Sequence, residues 1–245
     1  MGAANKEEMK SLTTAPPKAK RPFLPQIALV WKIIFGCILV VALLLGWFTT
    51  VKPVVVLPRI NLAPGFNLVD QNGDQISNEH MRGGIALYNF TYTDCDGDCP
   101  QTTPLMAEIH EEIAQLETEG IPVHLVTMTI NPDVDTIEKL AEYAAAYNAN
   151  PKIWHFATGS PVQIKSVVGG GFSTYYTPKD GEVKFDPAFM LVDGSGILRA
   201  EYRTAAPEKA ILLRDINLLV EEAHNSSGPQ RLAYEAAHLF LCYPD

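Results

Sequence analysis

Two cysteines four residues apart are the residues best suited to chemistry in this chain. Cys95 and Cys99 lie in the run Phe-Thr-Tyr-Thr-Asp-Cys-Asp-Gly-Asp-Cys-Pro over residues 90–100. Residues i and i+4 share one face of a helix-like turn, with Cα atoms roughly 6 Å apart, within the range that a disulfide spans. The same spacing lets two soft thiolates hold one Cu(I) ion. The pair is therefore a candidate redox pair and a candidate copper site, and a static disulfide is the alternative.

The surroundings of the pair act on the thiols in opposite directions. Cys95 is predicted to follow a strand and Cys99 to precede a helix, whose N-terminus lowers the pKa of a nearby thiol. The flanking Asp94, Asp96 and Asp98 disfavour a thiolate, although they favour an arriving cation.

Alternating strands and helices are predicted to position the pair. Strands are expected at Phe66–Val69, Ile85–Thr91, Ile121–Thr129 and Ile153–Ala157, and a hairpin at Ala188–Asp193 and Ile197–Arg203. Helices are expected from Thr103, from Asp135 to about Tyr147, over Pro161–Val168 and over Pro207–Ala223. This order predicts an α/β protein with a thioredoxin-like fold.

An apolar segment near the N-terminus is expected to cross a membrane. Residues 27–51 contain one charged residue, Lys32, and about 20 apolar residues suffice to span a bilayer. Trp31 and Trp47 stand near its two ends, where aromatic rings prefer the headgroup level. A cleaved signal peptide is the alternative, but the following Trp-Phe-Thr-Thr-Val-Lys-Pro is a poor cleavage site. The segment is interpreted as an uncleaved anchor.

Charge is distributed unevenly on the two sides of this segment. Residues 1–52 carry seven basic and two acidic residues, a balance of +5, so a net charge of −9 leaves −14 on the remainder. Five of the basic residues precede the apolar segment, which predicts a cytoplasmic N-terminus. The main domain is then expected on the extracytoplasmic (periplasmic) side of an inner or plasma membrane, where a dithiol can cycle.

The chain is predicted to have five parts. They are a cytoplasmic tail (1–26), a transmembrane helix (27–51), a linker (52–65), a thioredoxin-like domain (66–223) and a C-terminal tail (224–245). The last part includes an apolar helical segment, Arg231–Cys242, that is expected to dock on the domain, the membrane or a partner.

Four motifs together make the chain resemble the Sco/SenC family of membrane-anchored, thioredoxin-like copper proteins of cytochrome oxidase assembly. The motifs are Phe90 with Cys95-x-x-x-Cys99-Pro100, Asn131-Pro-Asp-Val-Asp135-Thr136, Trp154-x-x-x-x-Gly159, and Leu191-Val-Asp193-Gly194-x-Gly196. The similarity covers roughly residues 65–222. It implies copper bound by two cysteines and one histidine, and delivery to, or thiol reduction at, the dicopper centre of cytochrome oxidase subunit II.

The third ligand that the resemblance implies is missing here. The family histidine stands about eight residues before the aspartate of the late hairpin, and counting back from Asp193 gives Phe185, with Asp186 next to it. Two thiolates alone suit Cu(I), whereas Cu(II) prefers an imidazole. Asp186 is a harder alternative ligand. The bond before Pro187 is a candidate cis peptide, because thioredoxin-like redox proteins often carry a cis proline there.

The sequence is compatible with three functions. The first is a copper-handling assembly factor, the second a thiol–disulfide oxidoreductase, and the third an accessory subunit of a respiratory complex that keeps the fold. The expected partners are the membrane and cytochrome oxidase subunit II or another respiratory complex, with no nucleic acid. The histidines that are present, such as His110, His124 and His155, are interpreted as core or surface residues.

Overall fold

The computed structural model describes residues 24–51, 54–95, 99–116, 118, 120–179, 182–227 and 230–240 of the 245-residue chain. The chain divides into two compact units, Met1–Val51 and Lys52–Asp245. Each unit is described by itself.

The first unit contains one long apolar helix, α1 (Leu24–Val51). Its stretch Ala28–Trp47 has 20 residues and a mean hydropathy of 2.7, long and apolar enough to cross a membrane. No other helix in the part of the chain that the structure describes has this length and composition. The expected anchor at 27–51 therefore lies within one continuous helix.

The second unit alternates strands and helices. Its strands are β1 (Asn61–Leu62), β2 (Asn67–Val69), β3 (Gln75–Ser77), β4 (Ile85–Thr91), β5 (Val123–Thr129), β6 (Trp154–Ala157), β7 (Tyr176–Lys179), β8 (Glu182–Phe185), β9 (Phe189–Val192) and β10 (Ile197–Tyr202). Its helices are α2 (Thr103–Ile113), α3 (Ile137–Ala146), α4 (Pro161–Ile164), α5 (Lys209–His224) and α6 (Arg231–Phe240), with a 3₁₀-helix at Asn78–Met81 and a π-helix at Lys165–Gly171.

A six-stranded mixed sheet forms the centre of this unit, in the order β1-β10-β9-β4-β5-β6. Strands β4, β5 and β6 are parallel, whereas β9 is antiparallel to β4 and β10 is antiparallel to β9. All seven residues of β4 are buried, as expected for a strand that is covered on both faces. The α/β, thioredoxin-like arrangement predicted from the sequence is confirmed.

Alternation along β4 divides its side chains between two cores. Ile85 and Leu87 belong to the core that α2, α3 and α5 cover. Ala86, Tyr88 and Phe90 belong to the opposite core, together with residues of the π-helix and of the two small hairpins. The sheet is therefore covered on both faces, and the loop after β4 begins at the C-terminal end of this central strand.

Three local features differ from the sequence-based expectations. The helix predicted over 161–168 is α-helical only as far as Ile164 and then becomes the π-helix. The β7–β8 hairpin, which pairs Tyr176 with Phe185, lacks a strong periodic signal and was not predicted. The helix α3 begins with Thr136 as its N-cap, and not with Asp135, because the Thr136 side chain accepts a hydrogen bond from the Lys139 amide at 3.4 Å.

The segment predicted as a linker, 52–65, contributes to the folded unit. Val56 and Leu57 are buried, and β1 pairs with β10 at the edge of the main sheet. Folded structure therefore begins before Phe66, where the sequence placed the start of the domain.

Candidate redox and metal site

The two cysteines lie in the loop between β4 and α2, where the sequence places them. Cys95 follows the last residue of β4 by four positions, and Cys99 precedes the first residue of α2 by four. The structure joins them in a disulfide with Cα atoms 5.4 Å apart. This separation lies within the range typical of disulfides. Asp96, Gly97 and Asp98 lie outside the described residues.

The two sulfur-bearing residues differ in burial. Cys95 is 5% exposed and belongs to the core beneath the sheet, whereas Cys99 is half-buried and packs against the same core. The Cys95 amide donates to the Tyr92 carbonyl at 3.3 Å, and Gln101 Nε2 donates to the Cys95 carbonyl at 2.6 Å. The backbone of Cys95 is thus held on both sides.

Asp135 anchors the segment that leads to Cys95. Its carboxylate, on a residue that is 1% exposed, accepts hydrogen bonds from the Thr93 amide at 3.2 Å and the Thr93 hydroxyl at 2.5 Å, and also from the Thr129 hydroxyl. Thr158 Oγ1 donates to the Asp135 carbonyl at 3.4 Å. The loops after β4 and β5 are therefore tied together through one buried carboxylate. The sequence motif contains Asp135, but as a helix start and not as an anchor.

A buried polar chain fixes the N-terminus of α2, the helix that follows the cysteines. Trp154 Nε1 donates to Thr127 Oγ1 at 2.9 Å, and Thr127 donates to Asn89 Oδ1 at 2.7 Å. Asn89 Nδ2 then donates at 2.9 Å to Thr102, the N-cap residue of α2. Asn89, Thr102 and Thr127 were not predicted from the sequence as part of the site. The available signal was that Asn89 and Thr127 are polar residues inside two mostly apolar, buried strands, where unpaired polar groups are costly.

A tyrosine and an ion pair complete the outer part of the site. Tyr143 donates its hydroxyl to Thr103 Oγ1 at 3.0 Å, and burial raises the pKa of this tyrosine well above its usual range. Lys139 Nζ lies 3.4 Å from Asp94 Oδ2, with both side chains well exposed. Exposed ion pairs contribute little to the stability of a fold. The effect of Lys139 at the site is instead to offset the negative charge of Asp94 near the cysteines.

Phe185 occupies the position where the resemblance implies a histidine. It is buried at the end of β8 in the same core as Cys95, and its ring lies edge-on to Tyr92 with centroids 6.3 Å apart. The neighbouring Asp186 is exposed, and its amide donates to the Tyr175 carbonyl at 3.0 Å. The described residues contain no cis peptide bond, so the bond between Asp186 and Pro187 is trans and the cis interpretation is wrong.

Two histidines of the domain, His110 and His155, have polar partners away from the cysteines. His155 Nδ1 lies 3.3 Å from Asp70 Oδ2, and the rings of His124 and His155 are 6.4 Å apart. His110 Nε2 accepts a hydrogen bond from the Asn150 amide at 3.3 Å. Burial, reinforced by the nearby His155, lowers the pKa of His124. Within the described ranges, no three His, Cys, Asp or Glu residues converge in a geometry that would hold a metal ion.

The site thus offers two sulfur atoms, an aromatic wall and no imidazole among its described residues. Once reduced, the pair supplies two soft donors, which fit Cu(I) because this ion accepts few, soft ligands. The same donors fit Cu(II) poorly.

A family model and a curated relative both point to the same protein family. A sequence model described as SCO1/SenC matches residues 57–221. The SCO1 protein homolog of Bacillus subtilis (strain 168) is 28% identical over 140 residues, which cover 56% of this chain and 71% of that protein.

Solved structures show the same fold. The structure of BsSco, described as a member of the Sco family of cytochrome c oxidase assembly proteins with a disulfide switch, matches with a TM-score of 0.60 and 23% identity. The match covers 68% of this chain and 98% of that one. Arabidopsis thaliana ScoI with copper bound matches with a TM-score of 0.54 and 22% identity, over 64% of this chain and 98% of the other.

Proposed function

The chain belongs to the SCO1/SenC family, and on that premise we propose that its Cys95–Cys99 pair handles Cu(I), or exchanges its own disulfide, during cytochrome oxidase assembly. Copper is cargo in this proposal: the reduced pair receives Cu(I) and passes it on. The family relatives described as cytochrome c oxidase assembly proteins and as copper-bound support the assignment.

One observation carries the preference for Cu(I) over Cu(II). Phe185, and not a histidine, packs in the core that contains Cys95, so the wall beside the pair is apolar. Two thiolates satisfy Cu(I), whereas Cu(II) calls for further, harder donors. The exposed Asp186 beside Phe185 is the alternative donor, and its carboxylate is a poor substitute for an imidazole.

The proposed setting is a membrane that carries a respiratory chain. The apolar helix α1 is the proposed single-span anchor, and the basic residues before it favour a cytoplasmic N-terminus. The folded domain then lies on the extracytoplasmic side, and the proposed partner is cytochrome oxidase subunit II or another respiratory complex.

Titration of the reduced full chain in mild detergent with Cu(I), against a competing chelator, tests this function. We expect one tightly bound Cu(I) per chain and loss of that binding in Cys95→Ser. Cys37→Ser is the matched control, because Cys37 lies in α1 and is not part of the pair. Equal Cu(I) affinity in wild type and Cys95→Ser would exclude the pair as the copper site.

The substitution Phe185→His tests the role of the missing imidazole. We expect it to confer Cu(II) binding with a sulfur-to-copper charge-transfer absorption that the wild type lacks. Lys184→His, at an exposed position of the same strand, is the control. Strong Cu(II) binding by the wild type would contradict the proposal that Phe185 excludes this ion.

A second candidate is an accessory subunit of a respiratory complex. The C-terminal helix α6 favours it, because α6 lies beyond the residues that the family model matches and exposes Leu232 and Leu239. Co-purification from native membranes with a respiratory complex, abolished by Leu232→Glu and Leu239→Glu together, would support this candidate. A chain that is monomeric in mild detergent would count against it.

A further inference from the structure

The two sulfur atoms of the disulfide are not equivalent. Cys95 is 5% exposed and is packed in the core with Tyr92 and Phe185, while Cys99 is only partly buried at the rim of the same core. The Pro100 carbonyl oxygen also lies 3.6 Å from Cys95 Sγ. One side of the disulfide therefore faces protein, and the other is accessible to solvent.

The difference in burial between the two sulfur atoms determines which of them an external thiol can attack. A thiolate displaces one sulfur of a disulfide by approaching the other along the S–S axis, so the attacked sulfur must be open on the side away from its partner. Attack on Cys95 Sγ would require a thiolate to reach a residue that is 5% exposed and packed in the core that contains Phe185. Attack on Cys99 Sγ requires only an approach to the half-buried rim.

From this geometry we infer that Cys99 is the sulfur at which an external thiol exchanges and that Cys95 is the buried leaving and resolving thiol. The inference rests on the proposed thiol–disulfide branch of the function. In this assignment the external thiol attacks the second cysteine of the pair, Cys99, and not the first, Cys95. The reaction partner is a dithiol on another protein, or a small thiol in a test.

The exchange balances in two steps. A partner thiolate bonds to Cys99 Sγ, the Cys95–Cys99 bond breaks, and Cys95 leaves with the electron pair and takes up a proton. The second thiol of the partner then attacks the partner's own sulfur in the mixed disulfide, and Cys99 is released as a thiol. The protein gains two electrons and two protons, and the partner dithiol becomes a disulfide.

Backbone contacts are consistent with these separate roles. The Cys95 amide and carbonyl are hydrogen-bonded to Tyr92 and Gln101, and Thr93 just before it is tied to Asp135. Cys95 therefore stays in place when the disulfide opens. In the reverse direction the fixed Cys95 thiol attacks Cys99 Sγ, expels the external thiol and closes the ring again.

Mapping of the mixed disulfide in the wild-type full chain tests the inference. The oxidised protein is treated with reduced glutathione, the reaction is stopped with acid at low conversion, and free thiols are alkylated before peptide analysis. We expect glutathione on Cys99 and the alkyl group on Cys95, in about tenfold excess over the reverse pattern, because access controls the site of attack. Glutathione on Cys95, or equal amounts on both, would overturn the inference.

Single-cysteine variants give an independent measurement. Cys95→Ser and Cys99→Ser are each made in a background in which Cys37 and Cys242 are serine, and the rate of reaction with a small aromatic disulfide is compared with the rate in denaturant. Cys99 should react in the native chain at a rate close to its denatured rate, and Cys95 should be protected by about tenfold or more. Equal protection of the two would also overturn the inference.

These outcomes are separable from those that test copper handling. A chain that fails to bind Cu(I) but carries glutathione on Cys99 refutes the copper branch and keeps the assignment of the two thiols. A chain that binds Cu(I) but carries glutathione on Cys95 keeps the proposed function and refutes the assignment.

Discussion

Both ends of strand β4 have a buried charged side chain that joins segments distant in sequence, but the two ends join different things. Beyond its C-terminal end, the Asp135 carboxylate holds Thr93 and Thr129 through neutral donors. At its N-terminal end, where Ala86 pairs with Val192 of β9, the charged residue is Arg199. The first cluster lies beside the cysteine loop, and the second lies far from it along β4.

Arg199 is the more heavily connected of the two. Its guanidinium, on a residue that is 1% exposed, lies 2.8 Å from carboxylate oxygens of Asp193 and Glu222 and donates to the carbonyls of Leu57 and Pro58. Arg199 thereby links its own strand, β10, to three other parts of the chain: the segment before β1, the β9–β10 turn and α5.

The comparison separates stability from function. Arg199 joins four parts of the chain and touches nothing that does chemistry, whereas Asp135 joins two loops of which one carries Cys95. Loss of Arg199 is therefore expected to affect the whole fold, and loss of Asp135 is expected to affect chiefly the geometry of the cysteine loop.

The largest effect is expected from Arg199→Met. Removing the buried guanidinium leaves the partly buried Asp193 and Glu222 without their cation, and breaking a buried pair costs about 3–5 kcal/mol. Urea unfolding of the full chain in detergent, followed by near-ultraviolet circular dichroism, measures the loss. Arg203→Met is the control, because Arg203 is well exposed and should cost roughly 1 kcal/mol or less. A loss of similar size in both variants would contradict the assignment.

Asp135→Asn should have a smaller effect on stability and a larger one on the site. The amide keeps the shape but loses the charge that binds Thr93 and Thr129, and hydrogen bonds to charged groups contribute about 1.5–3 kcal/mol. We expect faster reduction of the disulfide by glutathione as well as a lower urea midpoint. The exposed Asp133→Asn serves as the control. Unchanged reduction kinetics in Asp135→Asn would show that Asp135 does not position the loop.

The sequence identified the elements that have strong local patterns. The strand at Ile85–Thr91 was predicted with the bounds that the structure has, because its residues are mostly apolar or aromatic and lie between polar turns. The helix from Thr103 was recognised by its threonine and proline, and the cysteines by their spacing. These features depend on neighbouring residues only.

Features that depend on distant residues could not be predicted in this way. Nothing local distinguishes Arg199 from the other 18 lysines and arginines, since its partners lie up to 142 positions away. The aspartate at 135 was interpreted as a helix start because its hydroxyl partners, Thr93 and Thr129, are set by sheet pairing. The difference in burial between Cys95 and Cys99 likewise arises from tertiary packing.

Acid should weaken the Arg199 cluster, because one of its two carboxylates, Glu222, stabilises the fold only while it is ionised. Burial opposes ionisation of Glu222, but hydrogen bonds and charge from Arg199 outweigh it and hold the pKa of Glu222 below its usual range. A carboxyl whose folded pKa is lowered stabilises the fold above its unfolded pKa, about 4.3, and loses that contribution as the pH falls through the folded value.

Glu222→Gln tests this pH dependence. The variant should be less stable than wild type near neutral pH, and the difference should shrink as the pH falls below the ordinary glutamate value. Parallel urea titrations between neutral and acid pH measure it, with the exposed Glu208→Gln as control. A difference that stays constant with pH would show that ionised Glu222 does not stabilise the fold.

The smallest effect should come from the link between this cluster and α6. His238 Nε2 lies 2.8 Å from Glu222 Oε1, and Ala237 beside it is fully buried, so α6 is attached to the domain through the residue that also binds Arg199. His238→Ala should cost about 0.5–1.5 kcal/mol, the usual net value of one hydrogen bond. Hydrogen exchange should rise in residues 231–240 and stay unchanged at Cys95, with the exposed Glu235→Ala as control. Faster exchange around Cys95 as well would mean that the two ends of β4 are energetically coupled, and the separation of stability from function would fail.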